Sequence, residues 1–577
     1  MKKYILYPFM FVFLLLQGCY ELDLSPLDAS SDINFWNTES QLMGASYVCY
    51  EIFQKDMLNF GEGCAESAMW GDPKNALNKV SSGVHPYTIA FPVSSWWNYF
   101  YANIFYCNNF LENYNRANIA QEIKDRYAAE VKVIRAMDYF YLTSLYGDVP
   151  LVTRVLSPED PEMKSPRTPR SEVVDFLLED LDWAVSKLGE EIPIGTNAGR
   201  INRWAALAVK SRIALFNERW KDAAEAAEDV MNSGKYELYK EGGINDAYYR
   251  LFTVGANQSK GNANNKETMI AGLYLENKRM HNLSAEIMSQ SDYNRFNPSK
   301  SLVDAYLCTD GKPAKLGYEY KDNPGIQLSP LYKEDAYEDY WKNRDPRMEQ
   351  TIMKPGTVWW GGNDGINNFD VFQVPRFVNK GRTGSVTLTG FYFKKYSAPE
   401  TSAPPSRDCN DIILLRYAEV LLTYAEAAYH LNGENLTQEQ IDNSINIIRA
   451  RVNMHPMKLT ELNEWGLDLL KEIKRERRIE LAFEGLRYLD ILRWKEGERL
   501  ALSTLGVKKS MIDVYISQGL EHNFTNVDNN GDIIVEGSSL DGTGPRTFDP
   551  AKHYLWPVPQ LERMKNPNFG QNPNWPE

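Results

Sequence analysis

Asn202-Arg203-Trp204-Ala205-Ala206-Leu207-Ala208 opens the stretch that decides the fold, and Ala223, Ala224, Ala227 and Val230 complete it. Trp204, Leu207 and Ala208 stand three and four residues apart, the spacing of one helix face. The second group lays small side chains along the next helix. Small residues on facing helices let two backbones approach closely, so this stretch predicts a tightly packed helix pair.

Trp204-x-x-Leu207-Ala208 matches the opening of a tetratricopeptide repeat, and Ala224 and Ala227 fall where that repeat carries small residues. Trp220 occupies a position usually held by Ala, so the repeat is divergent. Upstream, Trp97, Tyr101, Ile104, Asn108 and Leu111 form a helix face. Ala128 to Tyr146 reads as a helix that stops at Gly147, with Pro150 beyond it. A third helix is expected from Ser171 as N-cap. Downstream, a second pair is expected at Ile413–Leu431 and Gln438–Val452, then one long helix from about Leu459 to Phe483. Between these halves, residues 235–410 are rich in Gly, Asn, Pro, Asp, Tyr and Trp and lose clean periodicity. Thr387–Tyr396 alternates like a short strand. So long a stretch is not a single structureless loop in a compact body. Residues 520–550 look similar. The reading is a mainly α fold: a tetratricopeptide-like helix-pair scaffold with an embedded loop-rich lobe containing short strands. The expected divisions are 1–18, 19–234, 235–410 and 411–577.

The N-terminus is a separate signal. Met1-Lys2-Lys3 precedes an apolar run from Tyr4 to Leu16, closing on Gln17-Gly18-Cys19. That describes a secretory signal peptide, too short for a spanning helix. A small residue directly before Cys19 is how a bacterial lipoprotein cleavage box looks, which makes Cys19 the expected lipidation site and the membrane anchor. A polar tether follows.

The formal charge is −14, and loss of residues 1–18 removes two lysines and no acid, giving −16. Phosphate binding needs a positive surface, so this charge argues against nucleic acid as a partner. Beyond Cys19, five cysteines remain (Cys49, Cys64, Cys107, Cys308, Cys409) with no C-x-x-C, which suggests neither a zinc ribbon nor a redox motif and leaves any disulfide pairing open. Six scattered histidines show no ligand spacing, and no nucleophile elbow, zinc-protease helix or phosphate loop is present. The chain reads as a binder and not as an enzyme.

Several strings resemble the SusD/RagB family. They are Ala129-Glu130, Ile134-Arg135-Ala136, Tyr139-Phe140 and Leu145 to Leu151; Arg416 to Leu422 with Tyr424-Ala425-Glu426-Ala427; Ile445-Asn446, Ile448-Arg449 and Arg451-Val452; Glu476 to Trp494; and the tail Leu555-Trp556-Pro557-Val558-Pro559-Gln560 with Asn566-Pro567-Asn568 and Gln571-Asn572-Pro573. Asn574-Trp575 replaces the family's usual final Gly-Tyr. The resemblance is collinear over nearly the whole mature chain. It implies a right-handed stack of helix pairs carrying a ligand-binding lobe. It also implies a lipoprotein on the outer face of the outer membrane, capping a SusC-type TonB-dependent transporter and passing it oligosaccharide. The charges of Arg475–Glu484 read as structural pairs on one helical face.

A sugar offers apolar C–H faces and a rim of hydroxyls, so its site needs flat aromatics beside polar groups. Aromatics in aperiodic segments are the candidates: Trp359-Trp360; Trp70 with Asp72; Tyr293 with Arg295; and Trp96. Each is also readable as a ring capping a core under a long loop. Asp528, Asn530 and Asp532 fall near the spacing of a calcium loop, but Asn530-Gly531 is equally a type I′ hairpin turn. Two alternatives to sugar capture stay open: a peptide nutrient, or a helical scaffold that serves only as the transporter's lid.

Overall fold

The computed structural model describes residues 35–72, 75–288, 294–359, 370–378, 386–397, 407–535 and 545–576. Helices α1 (Glu39–Cys49) and α2 (Asp56–Gly63) precede a stack made of α3 (Ser95–Asn113), α4 (Gln121–Tyr146), α5 (Arg170–Lys187), α6 (Arg203–Phe216) and α7 (Trp220–Asn232). From α3 onward each helix packs on its neighbour in sequence. The local reasons are those of helix ends. The Asn202 side chain accepts from Ala205 N–H at 2.8 Å and caps α6. Helix α4 ends at Gly147, whose φ of +74° suits a residue without Cβ. Helix α5 starts one residue before the expected cap, at Arg170 behind Pro169.

Helix α7 packs next on α8 (Tyr417–Leu431), so residues 233–416 are an insertion between two adjacent members of the stack. Trp220 is used at that junction, its ring stacked on His430 with centroids 4.2 Å apart. The expected helix from Ile413 is instead strand β6 (Ile412–Arg416) up to Tyr417. It pairs antiparallel with β2 (Thr268–Gly272) and so ties the exit of the insertion to its interior. The expected Gln438–Val452 helix breaks at Asn443-Ser444 into Gln438–Asp442 and α9 (Ile445–Arg451). The long helix from Leu459 is also two pieces, Leu459–Trp465 and α10 (Leu469–Glu480). Gly466, at φ +74°, ends the first piece, and Asp468 caps the second through Lys471 N–H. Helix α11 (Arg487–Arg493) follows.

The remaining strands are β1 (Ala68–Trp70), β3 (Phe296–Pro298), β4 (Val358–Trp359), β5 (Asp370–Val371), β7 (Leu505–Lys508) and β8 (Asp532–Ile534). They pair antiparallel as β1–β3, β4–β5 and β7–β8. The fold is mainly α. Residues 387–396 form no strand beyond an isolated bridge from Phe393 to Ile352. All of them except Lys394 are buried, and Gly390 turns the chain at φ +88°, so their alternation did not mark a two-faced strand.

Two apolar cores result. One fills the helix stack and takes in Trp556 from the tail, and the other fills the insertion. A buried ionic lattice joins them. Glu480 accepts from Arg347 at 2.9 Å, Arg416 at 2.7 Å and Arg451 at 2.5 Å. Glu476 accepts from Arg347 and Arg449, at 2.6 and 2.8 Å. Glu484 accepts from Arg416 and Lys395, each at 2.6 Å. Arg347, Lys395 and Arg416 belong to the insertion, and Arg449, Arg451 and the three glutamates belong to the stack. The charges of the Arg475–Glu484 segment therefore act structurally, pinning the inserted lobe to its scaffold. All five cysteines among the described residues are free and buried.

Candidate functional site

Helix α2 is seated by two glycines. A Cβ on Gly61 would come within 1.8 Å of Gly485 O, and one on Gly485, at φ +81°, within 2.8 Å of Met57 O. Only bare backbone allows α2 to lie on the turn between α10 and α11. That contact presents Phe60 to Trp96 on one side, centroids 5.4 Å apart, and to Trp556 on the other, 5.3 Å apart. In front of this aromatic wall is a cleft of about 380 Å³, within the range of about 300–1,000 Å³ common for small-ligand sites.

Trp70, Phe91, Trp96 and Tyr99 line the cleft together with Lys55, Asp56, Asn75 and Glu286. Phe91 is 45% exposed and offers an open ring. Trp70 is half-buried at the end of β1, with Phe296 edge-on at 4.8 Å. Trp96 is 7% exposed, packed by Tyr99 and Phe100, and shows the cleft little of its face. Its indole N–H has no hydrogen-bond partner among the described residues. A buried unpaired donor is costly unless a ligand or water meets it, so Trp96 is suited to donate to a hydroxyl. Burial and the nearby Asp138 push the Tyr99 phenol up, keeping it a neutral donor, and it bonds Glu51 O at 2.7 Å. Lys55 and Glu286, both lining the cleft, pair at 2.8 Å and join the first helices to the insertion.

Two of the sequence-predicted aromatics, Trp70 and Trp96, thus meet in one cleft. Arg295 and Asp72 lie on the adjoining backbone. Gly71 N–H donates to Arg295 O at 2.8 Å, and Arg295 N–H donates to Glu286 O at 2.6 Å. The Asp72 side chain is exposed. Trp359 does not take part. It is 2% exposed in β4, with Phe372 and Tyr392 at 5.3 Å and the Arg376 guanidinium 5.0 Å over its ring. It is a core residue whose faces are already covered. Trp360, Tyr293 and Cys19 lie outside the described residues. Sequence reading missed Phe91, Tyr99, Lys55 and Glu286. Tyr99, one turn beyond Trp96, was the most accessible of these signals.

The expected calcium set is not assembled. The Asp528 carboxylate accepts from the N–H groups of Asn530 and Asp532, at 2.8 and 2.9 Å, closing the turn before β8. Asp532 instead turns inward, 3.6 Å from Lys300 Nζ. No group of acids, histidines or cysteines able to hold a metal occurs among the described residues.

A model for the SusD family matches residues 251–575, and a SusD-like model described as starch-binding and associating with outer membrane matches residues 23–215. SusD-like protein P2 of Formosa agariphila is 25% identical over 592 residues, covering 99% of each chain. A SusD-like protein of Bacteroides ovatus is 22% identical over 600 residues, covering 97% of this chain and 96% of the relative. A solved SusD-like carbohydrate-binding protein of Bacteroides fragilis shares 28% identity at a TM-score of 0.74, covering 93% of this chain and 100% of that one.

Proposed function

Starting from the premise that this chain belongs to the SusD family, we propose that it captures oligosaccharide in the cleft between Trp70 and Trp96 and passes it, without catalysis, to a SusC-type TonB-dependent transporter. The observation that carries this reading is the convergence of five aromatic side chains, Phe60, Trp70, Phe91, Trp96 and Tyr99, with Lys55, Asp56, Asn75 and Glu286 in one cleft. Aromatic faces suit the apolar side of a pyranose, and the mixed charges and amides suit its hydroxyls. The resemblance to a solved carbohydrate-binding relative supports the same ligand class. The description of the second matched model supports an outer-membrane location. The Gly18-Cys19 step supports a lipid anchor there.

Affinity electrophoresis of the chain from residue 20 onward through gels cast with different polysaccharides tests the capture step. Retardation by one glycan class, relieved in Phe91→Ala and Trp70→Ala, is the expected result. Uniform mobility in every gel would count against glycan capture. Metabolic labelling with palmitate, lost in Cys19→Ala, tests the anchor separately.

A further inference from the structure

A second cleft, of about 370 Å³, lies on the helix stack where α4, α5, α6 and α11 come together against the C-terminal tail. Its charge is opposite to that of the molecule. The chain carries a net −14, yet Arg170, Arg219, Arg493 and Lys495 line this cleft against a single acid, Glu218. Two of the four cations are already neutralised: Arg219 by Asp175 at 2.7 Å, and Arg493 by Glu426 at 2.5 Å.

Arg170 and Lys495 have no such partner. The Arg170 guanidinium donates only to neutral oxygens, Asn217 Oδ1 at 2.7 Å and Phe216 O at 3.0 Å. Lys495 places its ammonium 4.5 Å over the Tyr554 ring. No carboxylate among the described residues lies within ion-pair distance of either. Burial and then Arg170 itself push the Lys495 ammonium down from its ordinary value, and Glu218, the one acid of the cleft, only partly opposes them. The first turn of α5, through Ser171 and Val174, also lines the cleft, although its first N–H, on Arg170, already donates to the Asp148 carboxylate at 2.8 Å.

A separate observation points to a bound group. Ser144, 8% exposed, lines the same cleft, and its hydroxyl has no hydrogen-bond partner among the described residues. Helix-interior serines commonly bond back to their own helix. Here the hydroxyl is left unsatisfied beside two unpaired cations and a wall of Leu489, Leu492 and Leu555.

We propose that this cleft is a second ligand site, for a single sugar residue bearing a carboxylate. Lys495 and Arg170 receive the acid group, Ser144 Oγ a ring hydroxyl, and the leucines the C–H face. The site is independent of the aromatic cleft.

The test is titration of the chain from residue 20 onward with sodium glucuronate, glucose and sodium acetate, followed by saturation-transfer NMR. Lys495→Gln and Ser144→Ala are the variants. The first removes an exposed charge and the second an unbonded hydroxyl, so both leave the fold intact. Arg170 is not mutated because it braces Asn217 and Phe216. Glucuronate should bind saturably, and glucose should not. Lys495→Gln should weaken glucuronate about tenfold, as loss of a charge-assisted hydrogen bond implies. Ser144→Ala should weaken it by a smaller factor, and Phe91→Ala, at an exposed ring of the aromatic cleft, should leave it unchanged. Glucuronate binding no better than glucose, or binding indifferent to both variants, would overturn the site. Acetate binding as tightly as glucuronate would overturn the sugar assignment in favour of a carboxylate offered by a protein partner.

Discussion

Glu480→Gln is the perturbation that most directly probes how the inserted lobe is held. Its carboxylate is buried and accepts from three guanidiniums, on Arg347, Arg416 and Arg451. Burial alone would raise its pKa, but the three arginines hold it well below the usual carboxylate range. Glutamine keeps the volume, so no cavity opens and the change is one of charge. Removing one member of a buried ion pair typically costs about 3–5 kcal/mol, because the partner charge stays desolvated. Three partners are involved here, while Glu267, Glu476 and Glu484 remain to share them, so a loss of about 3 kcal/mol is expected. Urea unfolding followed by tryptophan fluorescence measures it, with limited proteolysis of residues 233–416 as a local readout. Glu225→Gln is the control, since its pair with Lys221 on α7 is exposed, 3.8 Å long and expected to contribute nothing measurable. If Glu480→Gln cost no more than Glu225→Gln, the lattice would not be what fixes the lobe to the stack.

Three further outcomes follow from the same structure. Burial raises Glu62 to about 7. Its folded pKa therefore exceeds its unfolded one, and stability falls as pH rises from about 4.5 to 7. Glu62→Gln should raise the melting temperature at pH 8 and have little effect at pH 4. For Glu426, burial raises and Arg493 then lowers the carboxyl, leaving it at about 2. Its stabilisation is present above the unfolded pKa and lost as pH falls from about 4.5 to 2, so Glu426→Gln should be destabilised at pH 7 and approach the parent in acid denaturation near pH 2. In Gly71→Ala the new Cβ would lie 1.8 Å from Asn294 O. It should push β1 away from β3, lower the melting temperature, and shift the fluorescence of Trp70.

The helix stack was legible in the sequence because its signals are local. Trp204, Leu207 and Ala208 repeat at helical spacing, Asn202 is a capping residue, and Gly147 can adopt a positive φ. The finer breaks were not, because tertiary pairing decides them. Ile412–Arg416 is apolar enough for a buried helix end, and only its ladder with Thr268–Gly272 makes it a strand. The site was half legible. Trp70 and Trp96 could be picked as aromatics near loops, but composition cannot tell a ring with a free face from one such as Trp359, covered by Phe372 and Tyr392. Glu286 is 231 residues from Lys55, which it pairs with at the cleft, and no local pattern links them. The turn at Asn530-Gly531 shows the same limit, since its acids have calcium-like spacing but spend their oxygens on backbone N–H groups and Lys300.

The central claim is capture of a saccharide in the cleft bounded by Trp70, Phe91 and Trp96. Its most direct test is calorimetric titration of the chain from residue 20 onward against a panel of oligosaccharides, beside the Trp70→Ala/Phe91→Ala double variant. The account predicts saturable binding to one glycan class and its loss in a double variant whose circular dichroism is unchanged. Binding that survives the double variant would contradict the site, and a folded protein that binds no glycan but takes up peptide would contradict the function.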